Sequence, residues 1–262
     1  MTEVVDAHVL GAYYVKSLKT LFAGARRVLD EVQLRFSPRG LYSCQLNPSK
    51  TLLVEIKVPI AFFHRYLCLP SDHSVDTAVS SEALYKALRR AENELRIKVV
   101  QGQATRHLVV ECAGYSAKLE PAIVTEDIPP PLQEAAVTVK TGADALRRAL
   151  LAAAARRVVL RFDEAEESLC IVSARDTGTE ETKLRKGSGL LSVLVSRAEH
   201  ENKEGIGGSR LSSACYKTGE LLDLLRFARN HSCVTVRFST DGTLVLGTGM
   251  ANLFLSPVLG RS

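Results

Sequence analysis

Tryptophan is absent from this 262-residue chain, methionine occurs twice, and aromatic residues make up only 6% of it. Its core must therefore be built mainly from Leu, Val, Ile and Ala. No apolar run reaches the roughly 18 residues of a membrane-spanning helix, so no membrane partner and a soluble chain are expected. The opening MTEVVDAHVL has no basic segment leading into a long apolar one, which argues against a secretory signal. The six cysteines (Cys44, Cys68, Cys112, Cys170, Cys215 and Cys233) never fall at CxxC spacing, and no histidine stands at metal-ligand spacing. That pattern excludes the usual zinc modules. The cysteines read instead as reduced, small apolar residues in a reducing compartment, with no cofactor and no metal site expected.

What the chain does have is a phrase repeated four times. A helix carrying Lys or Arg runs into a strand, a tight turn and a second strand. The strand phrases are EVQLRFSPRGLYSCQL (31–46), ELRIKVVQGQATRHLVVEC (94–112), RVVLRFDEAEESLCIVS (157–173) and CVTVRFSTDGTLVLGTG (233–249). The helices before them are expected at 16–29, 80–92, 143–157 and 217–229. A repeat of this kind adds the same face to one surface each time it recurs.

Here the recurring face is basic. The four helix windows hold 14 basic residues and five acids, a net +9 in a chain whose total is +5, so the remainder sums to −4. Positive charge segregated onto helices suits a phosphate-bearing partner, because each neutralised phosphate releases condensed counterions. The candidate DNA-facing residues are Lys19, Arg26, Arg27, Lys86, Arg89, Arg90, Arg147, Arg148, Arg226 and Arg229. Arg156 and Arg157 are weaker candidates, since cations at a helix end also complement its dipole.

Two copies of the phrase precede a proline-rich bridge and two follow it. The expected division is a domain at 1–121, a connector at 122–135 containing three consecutive prolines, and a second domain at 136–262. Each half reads as strand–helix–strands–helix–strands, an α+β arrangement with two basic helices on one face of antiparallel sheets. The first strand is expected at 7–15. In the first helix Leu18, Leu21, Phe22, Ala25 and Leu29 form one apolar stripe, with Lys19, Arg26 and Arg27 off it. Ser81 is the expected N-cap of the second helix. Residues 60–68 read as a short helix or turn anchored by Phe62 and Phe63, and 177–189 as a long polar loop.

Other clusters carry weaker readings. The acids of DEAEE (163–167) and EHE (199–201) would have to gather around a divalent ion to make a nuclease, and solvated turn acids is the plainer reading. KLRK (183–186) is a short basic patch. GIGGS (205–209) lacks the Lys and the strand–loop–helix setting of a phosphate loop. His64 has no nucleophile at catalytic spacing.

Taken together, the chain resembles the DNA sliding clamps over its whole length. The ending NLFLSPVL (252–259) is similar to the closing aromatic-x-x-Pro strand of the replicative clamp, PCNA. The resemblance implies a non-enzymatic ring subunit with antiparallel sheets outside and basic helices on an inner face around double-stranded DNA. It further implies two other clamp subunits, a clamp loader, and repair or replication enzymes docking near the connector. By that match Leu46, Ile128, Phe254 and Pro257 would line the partner pocket, and 107–115 and 168–176 would be the edges that close the ring. Within the superfamily, Asn47, Ser49, Lys50, Phe62, Phe63 and Tyr66 resemble the Rad-nine subunit of the nine-one-one checkpoint clamp, as does ACYKTGELLDLLRFAR (214–229). This likeness implies a heterotrimeric checkpoint clamp of the nucleus, with a homotrimeric replicative clamp as the alternative. That subunit normally carries a phosphorylatable tail. This sequence stops at Ser262, so either the tail has been removed or this is a different clamp subunit, and tail signalling is not credited to this chain.

Overall fold

The structure, a computed structural model, describes residues 2–69, 73–103, 105–124, 129–130, 135–175, 178–195, 213–229, 231–239 and 242–258. The chain divides into two compact units, Met1–Pro130 and Pro131–Ser262.

The first unit runs β1 (Thr2–Leu10), α1 (Ala12–Val28), β2 (Glu31–Ser37), β3 (Gly40–Leu46), β4 (Leu52–Pro59), a 3-10 turn (Ile60–Phe62), β5 (Arg65–Cys68), β6 (Val75–Ser80), α2 (Ser81–Leu88), β7 (Glu94–Gln101), β8 (Arg106–Cys112) and β9 (Tyr115–Leu119). Its strands lie in the orders β5-β1-β7-β8-β9 and β4-β3-β2-β6. The second unit runs β10 (Ala135–Gly142), α3 (Ala143–Ala153), β11 (Arg157–Asp163), β12 (Ser168–Arg175), β13 (Gly178–Leu184), β14 (Leu190–Val195), β15 (Ser213–Lys217), α4 (Thr218–Leu224), β16 (Cys233–Ser239), β17 (Leu244–Gly247) and β18 (Ala251–Leu255). Its orders are β14-β10-β16-β17-β18 and β13-β12-β11-β15, the same topology position for position. The internal repeat is therefore structural as well as sequential, and the fold is α+β with antiparallel sheets.

Each unit interlocks its two motifs by exchanging first strands. β1 pairs with β7, not with β2, and β6 pairs with β2. The second unit does the same through β10 with β16 and β15 with β11. A helix entering from one sheet thus feeds the other, and α2 in the first unit and α3 in the second each pack against both of their unit's sheets. The apolar stripe of α1 is buried throughout, at Leu18, Leu21, Phe22, Ala25 and the following Leu29. In α3 the buried stripe is Leu146, Ala149, Leu150 and Ala153. Arg147 and Arg148, between those positions, are left exposed.

The hairpin between β2 and β3 turns through Pro38-Arg39, and Ser37 pairs with Gly40. Gly40 has φ +124, and a Cβ there would stand 2.2 Å from the Val58 carbonyl oxygen. Only glycine combines that left-handed backbone with so close an approach. The Tyr66 hydroxyl donates to the same residue's carbonyl at 3.1 Å. Burial pushes the Tyr66 phenol well above its ordinary pKa.

Several expectations shift. The first strand is Thr2–Leu10 and not 7–15, because Gly11 at φ +98 breaks it and α1 begins at Ala12. Ser80 caps α2, accepting from the Ala83 amide, whereas the Ser81 hydroxyl donates to the Leu29 and Asp30 carbonyls and ties α2 to the end of α1. α1 begins four residues before its window, whereas α2, α3 and α4 are shorter than theirs. α3 stops where Ala154 turns left-handed (φ 47), and Arg157 already belongs to β11. After α2 and α4 the chain tightens into i to i+3 turns, which carry Arg89 and Arg90 and, in the second unit, Arg226 and Arg229. Of the expected core anchors Phe63 is buried and Phe62 only half-buried.

The polar stretch 177–189 is a loop only in part. Residues Gly178–Leu184 form β13, whose exposed Thr and Glu lack an apolar alternation because the strand is an edge with one buried residue near its end, Leu184. The expected closing edges shift with it. β8 and β12, which contain most of 107–115 and 168–176, are interior strands; the unpaired edges belong to their neighbours β9 and β13.

Candidate nucleic-acid interface

In the first unit α1 packs on α2, and most of the candidate cations there are already engaged. Lys19 Nζ donates to the Ala91 carbonyl at 2.7 Å. Arg26 pairs with Glu82 at 2.9 Å, and its guanidinium lies 4.0 Å from the Tyr85 ring centroid. Lys86 reaches the same Glu82 at 3.6 Å, one helical turn away. Arg90 sits 4.2 Å over the Tyr115 ring, which faces it from β9. Such contacts fix a cation's position while leaving its charge in place. Arg27 and Arg89 are exposed and enter no ion pair among the described residues.

The second unit is arranged differently. A cleft of about 300 Å³ lies between α3 and the turns after α4, lined by Asp144, Arg147, Leu151, Leu225, Arg226 and Arg229. Three arginines thus line one opening together with one aspartate. Arg226 is partly satisfied by Asp223 at 3.0 Å. Exposed pairs of this kind are worth about 0–1 kcal/mol, so a phosphate can compete for the arginine at little cost. Arg147, Arg148 and Arg229 are exposed and enter no ion pair among the described residues. Exposed guanidinium groups suit phosphate oxygens, and contacts to phosphate carry no sequence information.

Of the candidate partner-pocket residues, Leu46 ends β3 in the first unit and is half-buried. Phe254 and Pro257 belong to the second unit. Phe254 alternates with the buried Ala251, Leu253 and Leu255 of β18 in a pattern that leaves it only half-buried, on the face opposite the core. Pro257 is half-buried and lies near Gly242, where an added Cβ would stand 3.4 Å from Pro257 Cγ. Ile128 lies outside the described residues.

The acidic cluster of 163–167 makes local contacts. Asp163 accepts from the Ala165 and Glu166 amides, and Glu166 binds Lys183 and Arg185 at 2.9 and 2.8 Å, which holds its carboxyl below the usual range. Two cations of the KLRK patch are paired with that carboxylate, a contact between the β11–β12 turn and the end of β13 that sequence spacing does not reveal. Residues 199–201 and 205–209 lie outside the described residues. Among the described residues no three His, Cys, Asp or Glu side chains are gathered as a metal site would need.

Asn47 has a local role as well. Its side-chain oxygen accepts from the Thr51 and Leu52 amides at 2.9 and 3.0 Å, and its amide nitrogen donates to Ser49 at 2.8 Å. Lys50 takes a left-handed backbone (φ 56) in the same turn. The Asn-x-Ser pattern between β3 and β4 is thus a self-capped turn.

No family model matches the chain. The DNA polymerase sliding clamp of Thermofilum pendens is 25% identical over 240 residues, covering 88% of this chain and 91% of that protein. The crystal structure of PCNA from Thermococcus kodakaraensis superposes with a TM-score of 0.78 at 19% identity, covering 97% and 99% of the two chains. A PCNA2–PCNA3 complex from Sulfolobus tokodaii gives 0.75 at 15%, with the same coverage. The fold is that of the sliding clamps.

Proposed function

We propose that this chain, a protein with the sliding-clamp fold, is one subunit of a ring that encloses duplex DNA and tethers DNA-processing enzymes to it. It acts as a scaffold and not as a catalyst, in keeping with relatives named as DNA polymerase sliding clamps. The observation that carries the reading is the concentration of exposed arginines on the helix pair of each unit, with Arg147, Arg226 and Arg229 around one cleft. Enclosure supplies retention, while phosphate contacts without base readout permit sliding.

Ring closure falls to the edge strands β9 and β13, each paired on one side only within its own unit and so open to a strand of another chain. β9 carries Lys118 and β13 carries Glu180 and Glu181, so the two edges have opposite charge character. Phe254 and Pro257 in the second unit are our choice for a docking surface for partner enzymes, and Leu46 in the first unit is a separate candidate. A clamp loader is implied by any closed ring of this kind.

The assembly admits two readings. The names of the relatives favour a replicative clamp, which would be a homotrimer. The likeness of 47–66 to the checkpoint subunit favours a heterotrimer, with nuclear residence following only from that reading, and the solved PCNA2–PCNA3 complex shows that clamps of this fold can be built from different chains. The self-capped Asn47 turn explains part of that likeness through backbone geometry alone, so the polymerase-type clamp is our preferred reading.

Light scattering of the purified chain over a range of concentrations separates the two. A species near three times 28.6 kDa supports the homotrimer. A persistent monomer that forms a ring only with other clamp chains supports the heterotrimer. Arg89→Glu with Arg147→Glu, tested in the assembled ring, should weaken DNA loading and the salt-sensitive part of DNA binding without lowering the melting temperature. Unchanged loading and binding in an intact ring would sink the assignment of these arginines to the DNA-facing surface.

A further inference from the structure

The chain has seven tyrosines and eight phenylalanines, and five of these rings form one continuous array in the first unit. Tyr13 meets Tyr14 edge-to-face at 5.6 Å, Tyr14 meets Phe62 at 5.3 Å, Phe62 meets Phe63 at 5.7 Å, and Phe63 meets Tyr66 at 5.0 Å. The array begins in the core, where Phe63 is buried and the Tyr66 hydroxyl is held by Gly40. It ends in solvent, with Tyr14 45% and Tyr13 67% exposed. Aromatic rings in a protein so short of them would ordinarily be spent inside. Here the inner rings hold the outer ones in place, which lowers the entropic cost of putting a ligand on them.

Position on the helix identifies the ligand. At 3.6 residues per turn Tyr13 lies roughly 60° from Lys16 and 40° from Arg27 around α1, on the solvent side of the helix. Lys16 and Arg27 are both exposed. The open aromatic face is therefore set into the stripe of cations that the clamp reading assigns to phosphates. Duplex bases are covered by their neighbours and cannot stack on a ring. An unpaired base has a free π-face and a phosphate on either side, and an aromatic platform beside cations matches that chemistry.

We propose that Tyr13, backed by Tyr14 and Phe62, is a stacking platform for an unpaired nucleobase, so that the clamp engages single-stranded DNA adjoining the duplex it encloses. The proposal rests on the clamp reading above. A peptide partner on the same rings is the competing occupant, and it would show no dependence on unpaired DNA.

The test uses the full chain and fluorescence anisotropy with two probes, a blunt duplex and the same duplex carrying a single-stranded thymidine tail. The double variant Tyr13→Ala, Tyr14→Ala should lose roughly 5- to 150-fold in affinity for the tailed probe, the range for loss of one stacked base. Its affinity for the blunt duplex should change by less than about twofold. Tyr13→Phe keeps the ring and should retain tailed-probe affinity. Equal loss on both probes, or no loss on either, overturns the platform. Arg147→Glu is the control for the underlying reading and should weaken both probes alike. If it weakens neither, the phosphate-facing surface is wrong and the stacking proposal goes with it.

Discussion

The salt dependence of DNA binding distinguishes the two units, because the structure leaves different numbers of cations free in each. Replacing Arg147, Arg148 and Arg229 with Ala removes three exposed arginines that enter no ion pair among the described residues. Each phosphate contact contributes about 0.9 to the slope of log affinity against log salt, so the triple variant should flatten that slope by up to about 2.7 for each variant subunit that contacts the duplex. Between 50 and 200 mM salt the parent would then lose roughly fortyfold more affinity than the variant for each such subunit. Lys19→Ala should change the slope less than loss of an exposed arginine does, since the Ala91 carbonyl holds that ammonium away from a phosphate although its charge remains. Arg226→Ala should fall between, because Asp223 competes for the guanidinium. The measurement is anisotropy of a labelled duplex against the assembled ring across a salt series, with circular dichroism to show that each variant is folded. A Lys19→Ala effect as large as that of Arg147→Ala would refute the reasoning, since it would mean that hydrogen bonding in the free protein does not decide which cations reach phosphate.

Three further outcomes follow from the fold. Asp6 is 1% exposed and takes two hydrogen bonds of 2.6 Å from Arg96, which holds its carboxyl below the ordinary value. A carboxyl lowered in the folded state stabilises above its unfolded pKa and loses that contribution as pH falls through the folded one. Asp6→Asn should therefore cost about 2 kcal/mol at neutral pH, less than a fully buried pair because Arg96 is 35% exposed, and flatten the acid limb of a denaturation profile. Gly40→Ala forces a Cβ against the Val58 carbonyl at a left-handed position and should cost about 3 kcal/mol, read as a fall in the urea midpoint. Tyr66→Phe removes only the hydrogen bond to that turn and should cost about 1 kcal/mol in the same assay; a loss equal to that of Gly40→Ala would show that the hydroxyl does more than brace the hairpin.

The repeat, the α+β class, the antiparallel hairpins and the buried stripe of α1 were legible in the sequence, because each is set by local periodicity: 3.6 for the helices, two for the strands, and glycine where a turn demands it. The basic character of the helices was legible for the same reason, since charge is counted without knowing contacts. Element ends were less so. Ala154 turning left-handed and Ser80 in place of Ser81 at the cap depend on what the neighbouring strands need. β13 escaped notice because an exposed edge strand carries no apolar alternation. Strand exchange between motifs, β1 with β7 and β6 with β2, is a choice among pairings that the chain's local pattern does not rank. Tertiary structure alone decided which of the cations are spent. Nothing in the spacing of Lys19 and Ala91, Arg90 and Tyr115, or Glu166 and Arg185 announces a contact, since each pair is joined by folding across many residues. The sequence by itself determined that a basic face would exist. Packing determined which arginines on that face remain free to hold phosphate, because a cation's availability depends on its neighbours in space and not on its neighbours in the chain.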